Sequence, residues 1–218
     1  MVTMRRRHLD QFLAAEAADL SGLVLDIGGK KRNRRGNFVG SENDSRRWLY
    51  LNIDPGADPD YLCSAENIPL PDASVDVFIL CEVLEHAAKP EALLAEAHRI
   101  LRCGGTGLLT MPFLVQVHAD PEDYQRWTRF KLCRVLEETG FQITHVHEMG
   151  SIGSVIHDLL HAAAHRSDSF QHATTRRLGR AALRSLYPAF RLLDVLTMPQ
   201  AGWITTGWAV RVQKRKDK

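Results

Sequence analysis

The chain has 218 residues, of which 44% are hydrophobic and 25% charged, which suits one globular domain with a sizeable core. A formal net charge of +2 is too small to argue for nucleic acid, and the basic runs at Arg5–Arg7, Lys30–Arg35, Arg176–Arg184 and Lys214–Lys218 read as solvated loops or tails. Cys63, Cys81, Cys103 and Cys133 form no C-x-x-C pair, so neither a zinc site nor a disulfide framework is expected.

The first stretch, from about Thr3 to Leu20, places Leu9, Phe12, Leu13, Ala17 and Leu20 at helical spacing, and Ser21-Gly22 ends it. Such a helix is expected on the sheet edge. Glu16 and Asp19 break the apolar run that a signal peptide needs, and no window is long and apolar enough for a membrane span. A cytoplasmic protein is expected. Leu23–Ile27 reads as the first strand, followed by the turn Asp26-Ile27-Gly28-Gly29, where glycine lets backbone approach a ligand closely. The polar segment from Lys30 to Arg47 shows no apolar helical face, so the first crossover helix is expected to be short or replaced by a loop. Without a full G-x-G-x-x-G and its helix N-terminus, a nicotinamide-binding dehydrogenase is argued against.

Trp48, Tyr50, Leu51 and Ile53 give a second strand ending at Asp54, and Tyr61–Cys63 a short third. The stretch from Ser74 to Pro112 is the most decisive. Val75–Leu80 is a nearly continuous apolar run, as a parallel strand covered on both faces requires. Pro90 can open a helix carrying Leu93, Leu94, Ala97, Ile100 and Leu101 at helical spacing, stopped by Gly104-Gly105. Leu108–Met111 then follows as a second strand ended by Pro112. Strand, right-handed crossover and strand define an α/β core.

The residues Glu82-Val83-Leu84-Glu85-His86, then Pro90, Glu96-Ala97-His98-Arg99-Ile100-Leu101 and Gly104-Gly105, resemble those of the class I S-adenosylmethionine-dependent methyltransferases, especially the small bacterial "type 11" branch. The resemblance covers roughly Leu23 to His147. It implies a Rossmann-like, doubly wound, mostly parallel seven-stranded sheet with an antiparallel C-terminal strand, and S-adenosylmethionine at the carboxyl ends of the first strands. One methyltransferase domain over 1–218 is expected, divided into an N-terminal helix (1–22), a cofactor-binding core (23–148), a helical insertion or lid (150–200) and a last strand (203–212). The cofactor residues it implies are Asp26, Gly28 and Gly29 at the first turn, and Asp54 toward the ribose. Ser64, Ala65 and Glu66 would stand beside adenine, and Cys81 and Glu82 on the methionine side. Glu85 and His86 are expected to support their loop. An aspartate commonly stands where this chain has Ser64, and the glycine turn is shortened, which motivates an alternative: an S-adenosylmethionine-binding protein without transferase activity.

After Pro112, the segment Phe113 to Thr128 resembles the P-F…H-x-x-P-x-D-Y-x-R-x-T stretch of the same branch. His118, Asp120, Asp123, Tyr124 and Arg126 give it more hydrogen-bonding capacity than a connecting loop needs. His118 is the candidate general base, since imidazole titrates near neutral pH. Asp123 and Asp120 would orient it, and Asp123, Tyr124 and Arg126 are the candidate acceptor-binding residues. Thr128 caps a helix with Phe130, Leu132, Cys133 and Leu136, which Gly140 ends, and Phe141–His147 is the next strand.

Beyond it, one helix places Ile152, Val155, Ile156, Leu159, Leu160 and Ala163 on an apolar face, with His157, His161 and His165 four apart beside it. No carboxylate or cysteine completes those histidines, so no metal is expected there. A second helix sets Leu178, Ala182, Leu186, Phe190, Leu193 and Leu196 on an apolar face and Arg176, Arg180 and Arg184 in a basic stripe, which reads either as a lid or dimer helix with a solvated face or as a peripheral contact with anionic lipid at the inner membrane face. Trp203–Val212 closes the chain as a strand. The function expected is methylation of a hydroxyl on a small molecule, a sugar or a lipid-linked glycan, with no nucleic-acid partner.

Overall fold

The computed structural model describes residues 2–32, 37–38, 40, 45–165, 173–197 and 203–215, without the side chains of 173–176. The middle of the polar loop after Lys30, the side chain of Arg176 and the end of the basic tail therefore lie outside the description.

Seven strands form one sheet in the order β3-β2-β1-β4-β5-β7-β6. They are β1 (Gly22–Ile27), β2 (Arg46–Asn52), β3 (Tyr61–Leu62), β4 (Val75–Cys81), β5 (Leu101–Pro112), β6 (Phe141–Glu148) and β7 (Gly207–Lys214). The pairs among β1 to β5 are parallel, and β7 runs antiparallel between β5 and β6. This is the mostly parallel seven-stranded sheet expected. No described residue between β1 and β2 is helical, in keeping with the absence of an apolar helical face there. From β1 the chain moves outward to β2 and β3 and then returns to the other side of β1 as β4. A crevice opens where the connections diverge, and ligands of open α/β sheets bind at such a switch point.

Helices α2 (Pro90–Ile100) and α3 (Arg129–Glu138) cover one face of the sheet. Leu93, Leu94, Ala97 and Ile100 of α2 and Leu132, Val135 and Leu136 of α3 share one core with the strands. The glycines Gly104 and Gly105 do not stop α2, which ends at Ile100. They lie inside β5, where Val75 pairs with Leu101 but Val77 with Thr106, so the intervening residues bulge. Gly104 has φ +77°, and a Cβ on Gly105 would stand 2.9 Å from the carbonyl oxygens of Arg102 and Asp76. Only glycine fits that excursion.

The other face belongs to α1 (Met4–Glu16), which ends short of Leu20. It does not sit at the sheet edge. Leu9, Phe12 and Leu13 pack on Val24, Trp48, Val77, Ile79 and Leu108, in the middle of the sheet, because only there can an apolar stripe meet the side chains of several strands at once. Its N-terminus is capped twice. Thr3 Oγ1 accepts from Arg6 N at 3.2 Å, while the Asp158 carboxylate of α4 (Ile152–His165) accepts from Met4 N at 2.7 Å and Arg5 N at 2.9 Å.

α4 and α5 (Ala173–Thr197) pair with each other, and both turn polar residues inward. In α4, Ser154, His157 and Asp158 are buried, whereas Ile156, Leu159 and Leu160 are exposed. In α5, Leu183 and Asp194 are buried, whereas Leu178, Ala182, Leu186 and Leu196 of the apolar face are exposed. A hydrogen-bonded network decides the orientation: Asp194 accepts from Ser151 N, Ser151 Oγ, Ser154 N and Ser154 Oγ. Several smaller boundaries also shift. β2 stops at Asn52, leaving Ile53 exposed; Phe130 of α3 is 86% exposed; and the last strand begins at Gly207, with Trp203 outside it.

Burial pushes the Asp194 carboxyl up, but its hydrogen bonds with His8, Ser154 and Ser151 outweigh this and hold it below the ordinary carboxylate range. Such a group stabilises the fold above the ordinary aspartate value and loses that contribution as the pH falls through and below it. Asp194→Ala is expected to lower stability in urea by about 2 to 4 kcal/mol at neutral pH, because buried donors lose their acceptor. The gap from the wild type should narrow between about pH 5 and pH 2.5. A gap that stays constant across that range would mean that the carboxylate carries no such load.

Candidate active site

The carboxyl ends of β1, β2 and β4 meet two adjoining cavities of about 390 and 340 Å3. Their register sets this up: Ile27 pairs with Leu80 on one side and Leu51 on the other, so the turns after these strands leave the sheet at one level. The larger cavity is lined by Asp26, Gly28, Gly29, Cys81 and Glu82 and is covered by α1 through Thr3, Arg5, Leu9 and Leu13. The smaller is lined by Asp54, Ser64, Ala65 and Glu66, with Gly28 and Glu82. Gly28, Lys30, Glu82, His86 and Asp120 line both. Among the described residues, neither α4 nor α5 lines either cavity; the element over the larger one is α1.

Gly28 has φ +81°, and a Cβ there would come within 2.4 Å of Val83 Cγ2, so backbone conformation and space both demand glycine. The turn is held from behind by a residue the sequence reading passed over. The Asn52 side-chain amide donates to Gly28 O at 2.9 Å and Gly29 O at 3.0 Å, while its Oδ1 accepts from Asp54 N at 2.9 Å. One buried side chain thus joins the first turn to the start of the second. The signal was available: a lone polar amide at the end of an apolar strand needs partners.

Asp54 Oδ1 accepts from Gly56 N at 2.8 Å, capping the 3-10 turn Pro55–Ala57, and its Oδ2 lies 3.9 Å from Lys30 Nζ. It is both a turn aspartate and part of the cavity wall. Ser64 Oγ accepts from Glu66 N at 3.2 Å, bracing the segment beside that wall. Burial, reinforced by Asp26, pushes the Cys81 thiol up to about 12, so it stays neutral and serves as wall. Glu82 has φ +59°, a region that a residue with a Cβ seldom adopts, and its carboxylate pairs with Arg5 from α1. Strain and a half-buried ion pair thus coincide where the cavities meet. Arg5, too, was read from sequence only as part of a basic run.

His118 lines the larger cavity, but Asp123, Tyr124 and Arg126 line neither. Asp123 accepts from His118 N at 2.8 Å and from Arg126 Nη2 at 2.6 Å, and the Arg126 guanidinium holds its carboxyl down at about 2. Tyr124 is 54% exposed and is fixed through its backbone N–H, which donates to Glu85 O at 2.8 Å. These three brace the loop that presents His118. Glu85, expected to support its loop, is fully buried with its Oε1 3.7 Å from His118 Nε2 and 3.5 Å from His86 Nε2. His157, His161 and His165 do not converge: their rings stack in sequence along α4, and His157 Nδ1 pairs with Asp158 at 2.7 Å.

Comparison with known proteins agrees with this architecture. Residues 43–109 match the family described as a methyltransferase domain. A probable S-adenosylmethionine-dependent methyltransferase of Mycolicibacterium smegmatis is 32% identical over 82 residues, 35% of this chain and 32% of its own length. The match therefore spans about a third of that curated relative. Among solved structures, the 4+2 cyclase SpnF superposes with a TM-score of 0.59 at 15% identity, over 97% of this chain and 81% of its own. A Burkholderia thailandensis 1,6-didemethyltoxoflavin-N1-methyltransferase, crystallised with S-adenosylhomocysteine, gives 0.56 at 14% identity, over 97% and 79%. Over residues 43–109 the chain thus resembles the methyltransferase domain family, and over nearly its whole length it shares the fold of these solved structures.

Asn52→Ala removes three hydrogen bonds that position both turns. It should lower stability by about 1 to 3 kcal/mol and weaken ligand binding at the turn. Thermal melts with and without S-adenosylmethionine check this; an unchanged melting temperature and an unchanged ligand-induced shift would show that the turn stands without Asn52.

Proposed function

We propose that this protein transfers the methyl group of S-adenosylmethionine to a hydroxyl on a small molecule, a sugar or a lipid-linked glycan. The observation that carries the reading is the convergence of nine residues from separate segments on two adjoining cavities at the switch point: Asp26, Gly28, Gly29, Asp54, Ser64, Ala65, Glu66, Cys81 and Glu82. Asp26 would face the ammonium end of the cofactor and Asp54 the ribose, with Ser64, Ala65 and Glu66 beside adenine and Cys81 and Glu82 beside the methionine chain. S-adenosylmethionine, when bound, supplies a methyl group already activated on a sulfonium. The chain's own residues therefore mainly orient the acceptor, and orientation alone is worth about 7 to 11 kcal/mol of a barrier. The acceptor would enter the larger cavity under α1. Its proton would leave at the Glu85, His86 and His118 cluster, of which His118 is the member on the acceptor loop. Asp123, Arg126 and Tyr124 act on the acceptor indirectly, by setting that loop.

The exposed side of α5 supports a further element of this reading, a peripheral contact with anionic lipid. Leu178, Leu186, Leu192 and Leu196 are exposed on α5, and Arg177, Arg180, Arg184 and Arg191 are exposed beside them. An apolar stripe flanked by cations is the chemistry of a helix lying in a membrane interface. It would bring the cavity to a lipid-linked acceptor. No helix among the described residues is long and apolar enough to cross a membrane.

Calorimetry with S-adenosylmethionine tests the central claim: the wild type should bind, and Asp54→Ala should bind more weakly by about 1.5 to 3 kcal/mol, the range for lost hydrogen bonds to a charged group. A folded Asp54→Ala protein with unchanged affinity would take Asp54 out of the site. Binding by the wild type without label transfer to any acceptor fraction would favour the alternative of a non-catalytic binding protein. Sedimentation with phosphatidylglycerol vesicles should pellet the protein at low salt and release part of it at high salt; a protein left in the supernatant at low salt refutes the membrane contact.

A further inference from the structure

We propose that Glu85, His86 and His118 bind one divalent transition-metal cation where the two cavities adjoin, and that this cation holds the acceptor oxygen. One oxygen of Glu85 and one ring nitrogen of each histidine lie within 4.8 Å of one another. From Glu85 Oε1 the distances are 3.5 Å to His86 Nε2 and 3.7 Å to His118 Nε2. Ligands placed about 2.1 Å from one ion stand about 3 to 3.5 Å apart, so a small inward movement closes the set. The carboxylate supplies an independent reason. Glu85 is fully buried, and neither of its oxygens has a hydrogen-bond partner. Arg5 of α1 attracts it through space without hydrogen-bonding it, and burial works against the charge on Arg5 itself. An orphaned buried carboxylate aimed at two imidazoles is costly unless a cation joins them.

At His86 the surroundings set the tautomer that a cation needs. His86 Nδ1 faces Glu122 O at 2.5 Å, so it keeps its proton and leaves Nε2 with a free lone pair. His118 Nδ1 stands 3.3 Å from two groups, Gln116 O, which can accept its proton, and Arg126 Nη2, which can donate to it; the first partnership is the one that frees Nε2 for a cation. Two imidazoles and one carboxylate on one side of an ion, with open positions on the other, make the donor set of a catalytic rather than a structural site. His86 lines both cavities and His118 the larger one. Resting on the methyl-transfer reading, the consequence is that the acceptor is an oxygen nucleophile. Bound to the cation, its hydroxyl releases a proton to water, and its lone pair forms the C–O bond as the C–S bond breaks and returns its electrons to sulfur. His118 then acts as a ligand rather than as the free base.

Protein stripped with EDTA and titrated with Mn2+, followed by the EPR signal of the free ion, should take up about one ion per chain. Glu85→Gln and His118→Ala should each weaken uptake by about tenfold or more, while affinity for S-adenosylmethionine stays within a fewfold. His118 lies on a partly exposed loop, so its variant keeps the test usable if Glu85→Gln does not fold. No saturable Mn2+ site in the wild type, or a site untouched in His118→Ala, overturns the proposal. Mn2+ uptake that depends on both residues in a protein that fails to bind S-adenosylmethionine upholds the cation site and removes only the methyl-transfer reading.

Discussion

The register of β1 between β2 and β4 is the constraint on which the site depends. Asp26 pairs with Tyr50 and Ile79, and Ile27 with Leu51 and Leu80, so the three strands finish together. With their ends level, Gly28, Asn52 and Cys81 leave the sheet side by side. Side chains alternate along a strand, so a slip of one residue would send Asp26 to the opposite face and bury an apolar neighbour in its place. Continuous apolar burial in β4 protects that register, since Val75, Val77, Phe78, Ile79 and Leu80 are all at most 3% exposed.

The second organising feature is α1, which is at once core and cavity wall. Its apolar stripe belongs to the sheet, while Arg5 reaches Glu82 at the strained turn after β4. Its N-terminal amides are held by Asp158 of α4, itself joined to His157. The helical pair α4 and α5 thus acts on the site through the helix it anchors. A polar interior between α4 and α5 leaves leucines outside, which gives one fold both an anchored cover and an apolar outer strip.

How much of this could be read in advance follows from what local sequence encodes. The apolar run of β4, Pro90 opening α2 and the Thr128 cap of α3 were legible because each reports a local backbone preference. The nine residues proposed for the cofactor were suggested by the family resemblance, and the strand ends and turns that carry them line the two cavities. The bulge at Gly104-Gly105 was misread as a helix stop because a glycine pair signals broken regular structure without saying which element it breaks. Which faces of α4 and α5 meet the protein was not legible, because periodicity shows that a helix has two faces, not which one is buried. There, hydrogen bonds to Asp194 outweighed the leucines.

By itself, then, the sequence determined the order of elements, the parallel core and the turns that could cradle a ligand, since all of these arise from residues adjacent in the chain. Only tertiary structure decided that α1 covers the cavity, that Asn52 ties two turns together, and that Glu85 and His86 meet His118 across more than thirty positions. These depend on packing between distant segments, where a carboxylate's meaning is set by what is buried beside it. A Glu-His pair reads the same in a loop support and in a metal site until a third ligand arrives from elsewhere in the chain.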